Sequence, residues 1–486
     1  MIGCTATLAI SGCVPIGNGS GAIASREIIL NGAFPAATDD RRHLSPYDAS
    51  RPFASLAVAL KACRPGDTLL MRPGVYVVPP EGIEVRSRNI SLQGDPGAII
   101  RTATPHSPGI TLRGPGSRVS GITFDGERKN EPPEPSPTRY LLKIAAPDIT
   151  VERCQFNNYS GTALLLVDQA DRCLVEHSSF SKVSTGIIAI ELENAGSAPD
   201  DNKFLFNHVT TIDTSEACRG IKVATNHVGT TAKGNLIEGN TLRNAGYVAI
   251  EVFNDVSTTS VIGNHVYGSH LGISFGCARD GTASGNTVQA AICGYEAAES
   301  SDISITGNTY NGQDDTGKVV GRTGIGIWGK TPAINTTVSS NTLTKCSARM
   351  IDIQNSIGTT ISGNTVSNHR GDIMVYAYNG ASDVSITNNI LSSDDFVTAA
   401  IGLSANAVRP FRNAIVTSNS VSLQQSNALL TLAAFSGQAF ENVVIASNIF
   451  RSQVAPFGPA FQVVPRTLPR QFAFRDNVGL PRPPAP

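Results

Sequence analysis

The sequence predicts an all-β protein, a right-handed parallel β-helix solenoid with a short N-terminal capping helix. Three observations carry that expectation. An asparagine recurs at a fixed place in a repeat, each repeat holds a second apolar strand, and the composition favours turns over helices.

The asparagine sits in a Gly/Ser-Asn-x-aliphatic tetrapeptide: GNTL at 239–242, GNHV at 263–266, GNTV at 285–288, GNTY at 307–310, SNTL at 340–343 and GNTV at 363–366. Degenerate copies follow as NNIL at 388–391, SNSV at 418–421, SNIF at 447–450 and DNVG at 476–479. From Asn207 to Asn477 the steps are 33, 24, 22, 22, 33, 23, 25, 30, 29 and 29 residues. A floor near 22 with excursions only upward is what a coil of fixed cross-section with variable side loops produces. A leucine-rich frame is absent, and a propeller needs a period of roughly 40. Asn in register predicts an amide ladder, with the Asn itself tolerating the left-handed conformation at a sharp turn.

Between ladder positions lies a strand with period-2 apolarity, such as Gly186–Leu192, Gly220–Val223, Val248–Val252, Gly272–Phe275, Gly324–Ile327 and Met350–Ile353. Alternation turns every other side chain outward. At the N-terminal end, Phe53, Leu56, Leu60 and Cys63 share one helical face with Pro52 at the helix start. A helix over about 52–63 would close the open first coil. The expected organisation is a signal-like or flexible stretch over 1–25, one β-helix domain over 26–480, and a Pro-rich tail over 465–486.

Composition excludes several classes. Lys+Arg is 38 against Asp+Glu 39, so no bulk field attracts nucleic acid or an anionic membrane. No segment is long and apolar enough for a transmembrane helix. The nine cysteines form no Cys-x-x-Cys pair, so neither a zinc site nor a redox motif is indicated, and most are expected as small buried apolar residues. Ile10-Ser11-Gly12-Cys13 resembles a bacterial lipoprotein cleavage box, although no Lys or Arg precedes it. The expectation is a secreted, periplasmic or lipid-anchored protein.

Aligning AIELEN (189–194), GIKVATN (220–226) and AIEVFN (249–254) stacks Glu191, Lys222 and Glu251 on consecutive coils. At about 4.8 Å per coil the two glutamates would be about 9–10 Å apart, at the upper end of the ~6.5–9.5 Å window for an inverting carboxylate pair. Alternatively Lys222 serves as the base of a β-elimination, with Arg219 as the neighbouring cation. A third alternative is a self-neutralising Glu-Lys-Glu ladder. Asp352, Tyr376 and Trp328, the single tryptophan, fall at outward positions further along, where aromatic rings can serve as sugar platforms. His227 follows the Lys222 strand as a binding candidate, while His265 and His270 read as turn residues. Gly324-Ile325-Gly326-Ile327-Trp328-Gly329 matches GxGxxG but opens no helix in a βαβ unit, so a dinucleotide site is rejected.

The stretch Pro52–Tyr76 followed by the GNT coils resembles the pectin-lyase-like superfamily of right-handed parallel β-helix proteins. That resemblance implies a polysaccharide, probably an acidic one, as substrate or ligand, handled by a lyase or a glycoside hydrolase. The superfamily also includes sugar epimerases, non-catalytic adhesins and phage tailspikes, which stay open as alternatives. Glu191-Leu192-Glu193 with Arg219 is similar to the arrangement by which chondroitinase B-like lyases hold calcium, which makes Ca2+ the one cofactor candidate, but no Lys follows the Glu pair directly. No protein metal ligand is assigned, and the sequence leaves the oligomeric state open.

Overall fold

Each coil is made by the same succession of short strands, and the coil beginning at Leu236 is representative. Leu236–Glu238 leads to Asn240, then to Thr241–Arg243, a turn with Asn244 and Gly246 at positive φ, Val248–Phe253, and a loop back to Ser260–Ile262. Every inward side chain stacks on its counterpart one coil away: Ile237 on Val261, Leu242 on Val266, Ile250 on Ile273. All six are fully buried, so the apolar positions of successive repeats merge into one continuous core. Among the described residues the strands form parallel sheets of 17, 27 and 2 strands, winding about 14 turns, with one short helix. These are features of a computed structural model that describes residues 27–30 and 55–481, apart from 129–131, 133–138, 193–196, 213–215, 227–228, 406–409, 435–439, 455, 457 and 465–468.

The asparagine ladder runs unbroken from Asn207 to Asn477. The Oδ1 of Asn264 accepts from the backbone N and from Nδ2 of Asn240, both at 2.9 Å. Its own Nδ2 donates to Asn286 Oδ1 at 3.0 Å and to the Ile237 carbonyl at 2.9 Å. The left-handed residue is not the Asn, as the sequence suggested, but the one before it: Gly239, Gly263, Gly285, Gly307 and Gly363 have φ between 61° and 66°, and Ser340 and Ser418 follow at 57° and 58°. Glycine takes that conformation at no steric cost, which explains the GN pairing. The Asn supplies the amide, and its predecessor supplies the bend.

The helix spans Leu56–Ala62, shorter than the expected 52–63 because Ser55 is the N-cap, its hydroxyl accepting from the Val58 N–H at 3.5 Å. Pro52 and Phe53 lie outside the described residues, while Leu56, Leu60 and Cys63 are buried against the first coils. The expected 1–25 segment also lies outside the described residues. The coil continues past Pro465, where a tail was expected: Phe472–Arg475 pairs with Val443–Ala446, and Asn477 closes the ladder. Cys63, Cys154, Cys173, Cys218, Cys293 and Cys346 are buried, as small apolar residues would be.

Candidate active site

One outward face of the solenoid carries a column of residues in strict register. Reading along the axis, it runs Ile188, Lys222, Glu251, Ser274, Glu296, Gly326, Asp352 and Tyr376. Two residues further along each strand lies a second column with Phe253, Gly276, Ala298 and Trp328, then Gln354 and Tyr378 on the next two coils. Parallel pairing fixes both columns, because consecutive rungs are about 4.8 Å apart and cannot slip without burying charge.

Among the sequence-derived candidates, Lys222 and Glu251 are adjacent rungs, with Lys222 Nζ 2.9 Å from Glu251 Oε2. Arg219 Nε reaches the same oxygen at 3.1 Å. Lys222 also lies over the Phe253 ring and Arg219 over Tyr247. Two cations therefore share one carboxylate, which engages Lys222 in an ion pair. Glu191 does not join them. Ala189 pairs with Val223, not with Gly220, so the rung beside Lys222 is Ile188 and Glu191 is three residues away. An odd shift in a period-2 strand exchanges faces, and Glu191 is fully buried, accepting from Thr230 Oγ1 at 3.0 Å. The proposed Glu191–Lys222–Glu251 ladder is thus a Lys222–Glu251 pair only. His227 and Glu193 lie outside the described residues.

A cleft of about 550 Å3 opens further along the same face, lined by Tyr247, His270, Glu296, Arg322, Trp328, Arg349, Asp352 and Asp372 among others. Two of the predicted residues, Trp328 and Asp352, lie in it. In the column, Gly326 stands between the lining residues Glu296 and Asp352, beneath the Trp328 ring. A Cβ there would come within 2.1 Å of two carbons of the Trp328 ring, so the absent side chain lets the indole fold back over the backbone. On one side of this bare rung is Glu296, on the other Asp352. The backbones of the two carboxylates are therefore two rungs, about 9–10 Å, apart.

The environments of the two carboxylates differ. Glu296 is half-buried and accepts from Trp328 Nε1 at 2.7 Å and from Ser274 Oγ at 2.5 Å, one donor on each oxygen. Both hydrogen bonds suit an ionised acceptor and hold it in one orientation. Asp352 is buried. Burial pushes its carboxyl above the usual carboxylate range, while Arg349, Gln354 and Tyr378 pull it the other way. Arg349 Nη1 lies 3.3 Å from Asp352 Oδ2, and Arg349 Nε lies 3.2 Å from Asp372 Oδ2. The guanidinium also bonds the Tyr378 hydroxyl and lies over the stacked rings of Tyr376 and Tyr378. Tyr376 thus abuts Arg349 at the end of the cleft. Arg322 is exposed at the rim, and among the described residues its guanidinium meets no carboxylate.

His270, read from sequence as a turn residue, stacks on Tyr247 at 4.3 Å in the cleft wall, and burial pushes its imidazole below the ordinary value. Sequence reasoning missed Glu296, Arg322, Arg349 and Asp372. Glu296 was open to the same period-2 reading, since Tyr295 and Ala297 flank it inward in the Cys293–Ala298 strand.

The family described as "Periplasmic copper-binding protein (NosD)" matches residues 136–331 and again 226–407, overlapping stretches that together cover more than half of the chain. No curated protein matches it. Among solved structures, an alginate lyase of family PL6 in complex with a trisaccharide is 12% identical, covering 95% of this chain and 98% of that one at a TM-score of 0.40. The polygalacturonase of Erwinia carotovora ssp. carotovora is 12% identical over 87% of this chain and 97% of its own, at 0.39. The surface adhesin PfbA of Streptococcus pneumoniae is 13% identical over 81% and 83%, at 0.35.

The family description raises the question of a metal. Copper favours thiolate, imidazole and thioether donors. Among the described residues no three His, Cys, Asp or Glu side chains are grouped to hold an ion. Burial pushes the thiols of Cys154, Cys173 and Cys346 up to about 12, away from the thiolate that a metal requires. The described residues therefore do not fit a resident copper ion. What the match does establish is descent and architecture: this chain, a parallel β-helix from its capping helix to its last asparagine, belongs to the NosD family.

Proposed function

We propose that this protein is an exported carbohydrate-active enzyme that hydrolyses an acidic polysaccharide in the Glu296–Asp352 cleft. The observation that carries the reading is the bare Gly326 rung, roofed by Trp328, between two carboxylates of unlike environment. Glu296, fixed by Ser274 and Trp328, is the general base that takes a proton from water. Asp352, the buried carboxyl, is the general acid that gives its proton to the leaving sugar oxygen. Two-rung spacing of the backbones is near the ~6.5–9.5 Å carboxyl separation of a single displacement with inversion of configuration, with Trp328 the side chain that must move aside to admit the water. Trp328 offers an apolar ring to a sugar face. Arg322, the rim guanidinium without a carboxylate, favours a sugar bearing a carboxylate or sulfate. Hydrolysis is preferred to β-elimination because Lys222, the base read from sequence for elimination, is ion-paired with Glu251 and lies one coil outside the cleft lining.

The test is a panel of acidic and neutral polysaccharides, followed by reducing ends, by ultraviolet absorbance of unsaturated products and by proton NMR of the new anomeric centre. The expected result is new reducing ends without unsaturation, with inverted configuration. Substitutions Glu296→Gln and Asp352→Asn should each lower kcat by about 10²–10⁴-fold. Unsaturated products would replace the hydrolytic reading with elimination. Binding without turnover by the native chain would replace it with a glycan-binding role.

A further inference from the structure

The cluster around Arg349 holds more acid than base. One guanidinium serves two carboxylates: Asp352, whose side chain is 8% exposed, and Asp372, whose side chain is 42% exposed. Its Nε points to Asp372 and its Nη1 to Asp352 and Tyr378, with two tyrosine rings holding its plane. A trio of one cation and two carboxyls carries a surplus negative charge when both acids are ionised. In a partly desolvated cleft the cheaper state leaves one carboxyl protonated, and the buried one is the costlier to ionise. The other groups near Asp352 do not supply a second cation. Gln354 donates to it at 3.2 Å, Glu296 lies across the Gly326 rung, Cys293 lies in the same cleft lining, and Arg322 is at the exposed rim.

We propose that Asp372 is a positioning residue that occupies the charge of Arg349 at the rim, leaving Asp352 as the member of the trio that keeps its proton. This rests on the reading of Asp352 as the acid. Removing the Asp372 charge hands Arg349 wholly to Asp352, which then ionises more readily, so the acid form disappears at a lower pH. A merely structural role for Asp372 would lower activity at every pH without moving the limb of the profile.

The experiment is carbon-13 carboxyl NMR of the full chain, with the Asp352 signal identified through Asp352→Asn, and a pH profile of turnover alongside. In Asp372→Asn the Asp352 midpoint and the alkaline limb should both fall by about one pH unit, and Asp372→Glu should restore them. In Arg349→Gln the Asp352 midpoint should move upward, which gives a second sign to check. A midpoint that stays fixed or rises in Asp372→Asn overturns the inference. If the midpoint falls but the native chain releases no reducing ends from any polymer, the charge coupling stands and the hydrolytic reading fails. If turnover is found but the midpoint does not move, the hydrolytic reading stands and the inference fails.

Discussion

At the scale of single residues, the cleft depends on an atom that is missing. Gly326 has ordinary extended backbone, so its role is steric: any Cβ would collide with the Trp328 ring. In Gly326→Ala the indole must leave the rung and Glu296 loses its Nε1 donor. Because Trp328 is the chain's single tryptophan, its emission reports this directly. The expected outcome is a red-shifted emission and a roughly ten-fold weaker glycan affinity with an unchanged melting temperature. His369 makes a second residue-scale prediction. It is fully buried, and burial pushes its imidazole down to about 4 from 6.5, against the backbone groups of Asp372, Ala348 and Cys346. A lowered folded-state pKa means that the unfolded chain takes up the proton first. Stability is therefore full above about pH 6.5 and is lost as pH falls toward about 4, by an order of 3 kcal/mol from this group. Urea denaturation of His369→Leu against the native chain should show a shallower loss over that interval.

At the scale of elements, the amide ladder replaces what a helix obtains from its own backbone. Asn308 accepts from the backbone N and Nδ2 of Asn286 and donates to the Ala283 carbonyl and to Asn341 Oδ1. Its truncation strands several buried polar groups at once, each costing about 1–3 kcal/mol. Asn308→Ala should lower the melting temperature more than Asn477→Ala, since Asn477 ends the ladder and is half-buried. Equal losses at both positions would mean that the ladder is not cooperative along the solenoid.

At the scale of the whole molecule, the cleft lies along the solenoid axis. Its lining reaches from the Val248–Phe253 coil to the Gly371–Tyr378 coil, five rung spacings, or about 24 Å. A groove parallel to the axis accepts the interior of a polymer as readily as its end. Solution viscosity should therefore fall well ahead of the rise in reducing ends. Release of monosaccharide from the first minutes onward would instead indicate attack on chain ends.

The sequence by itself determined the architecture, because a repeat states its geometry many times over. Asn spacing and alternating apolar strands each recur on most coils, and Gly precedes the Asn on five of them, so a single ambiguous position cannot mislead. It also made Lys222, Glu251, Trp328 and Asp352 legible as outward residues, since period 2 alone assigns the face. Which coil lies beside which, and in what register, was decided only by the tertiary structure. AIE recurs at 189–191 and 249–251, but the Ser179–Ile190 strand pairs with Arg219–Ala224 so that Ile188 stands beside Lys222, and Glu191 lies buried past the strand's end. Loops of unequal length separate Glu296, Gly326 and Asp352 by 30 and 26 residues, so their adjacency leaves no periodic trace in the chain. The face of a side chain is a local property of the strand, whereas the partners across a cleft are set by loop closure and stacking, which the local pattern does not encode.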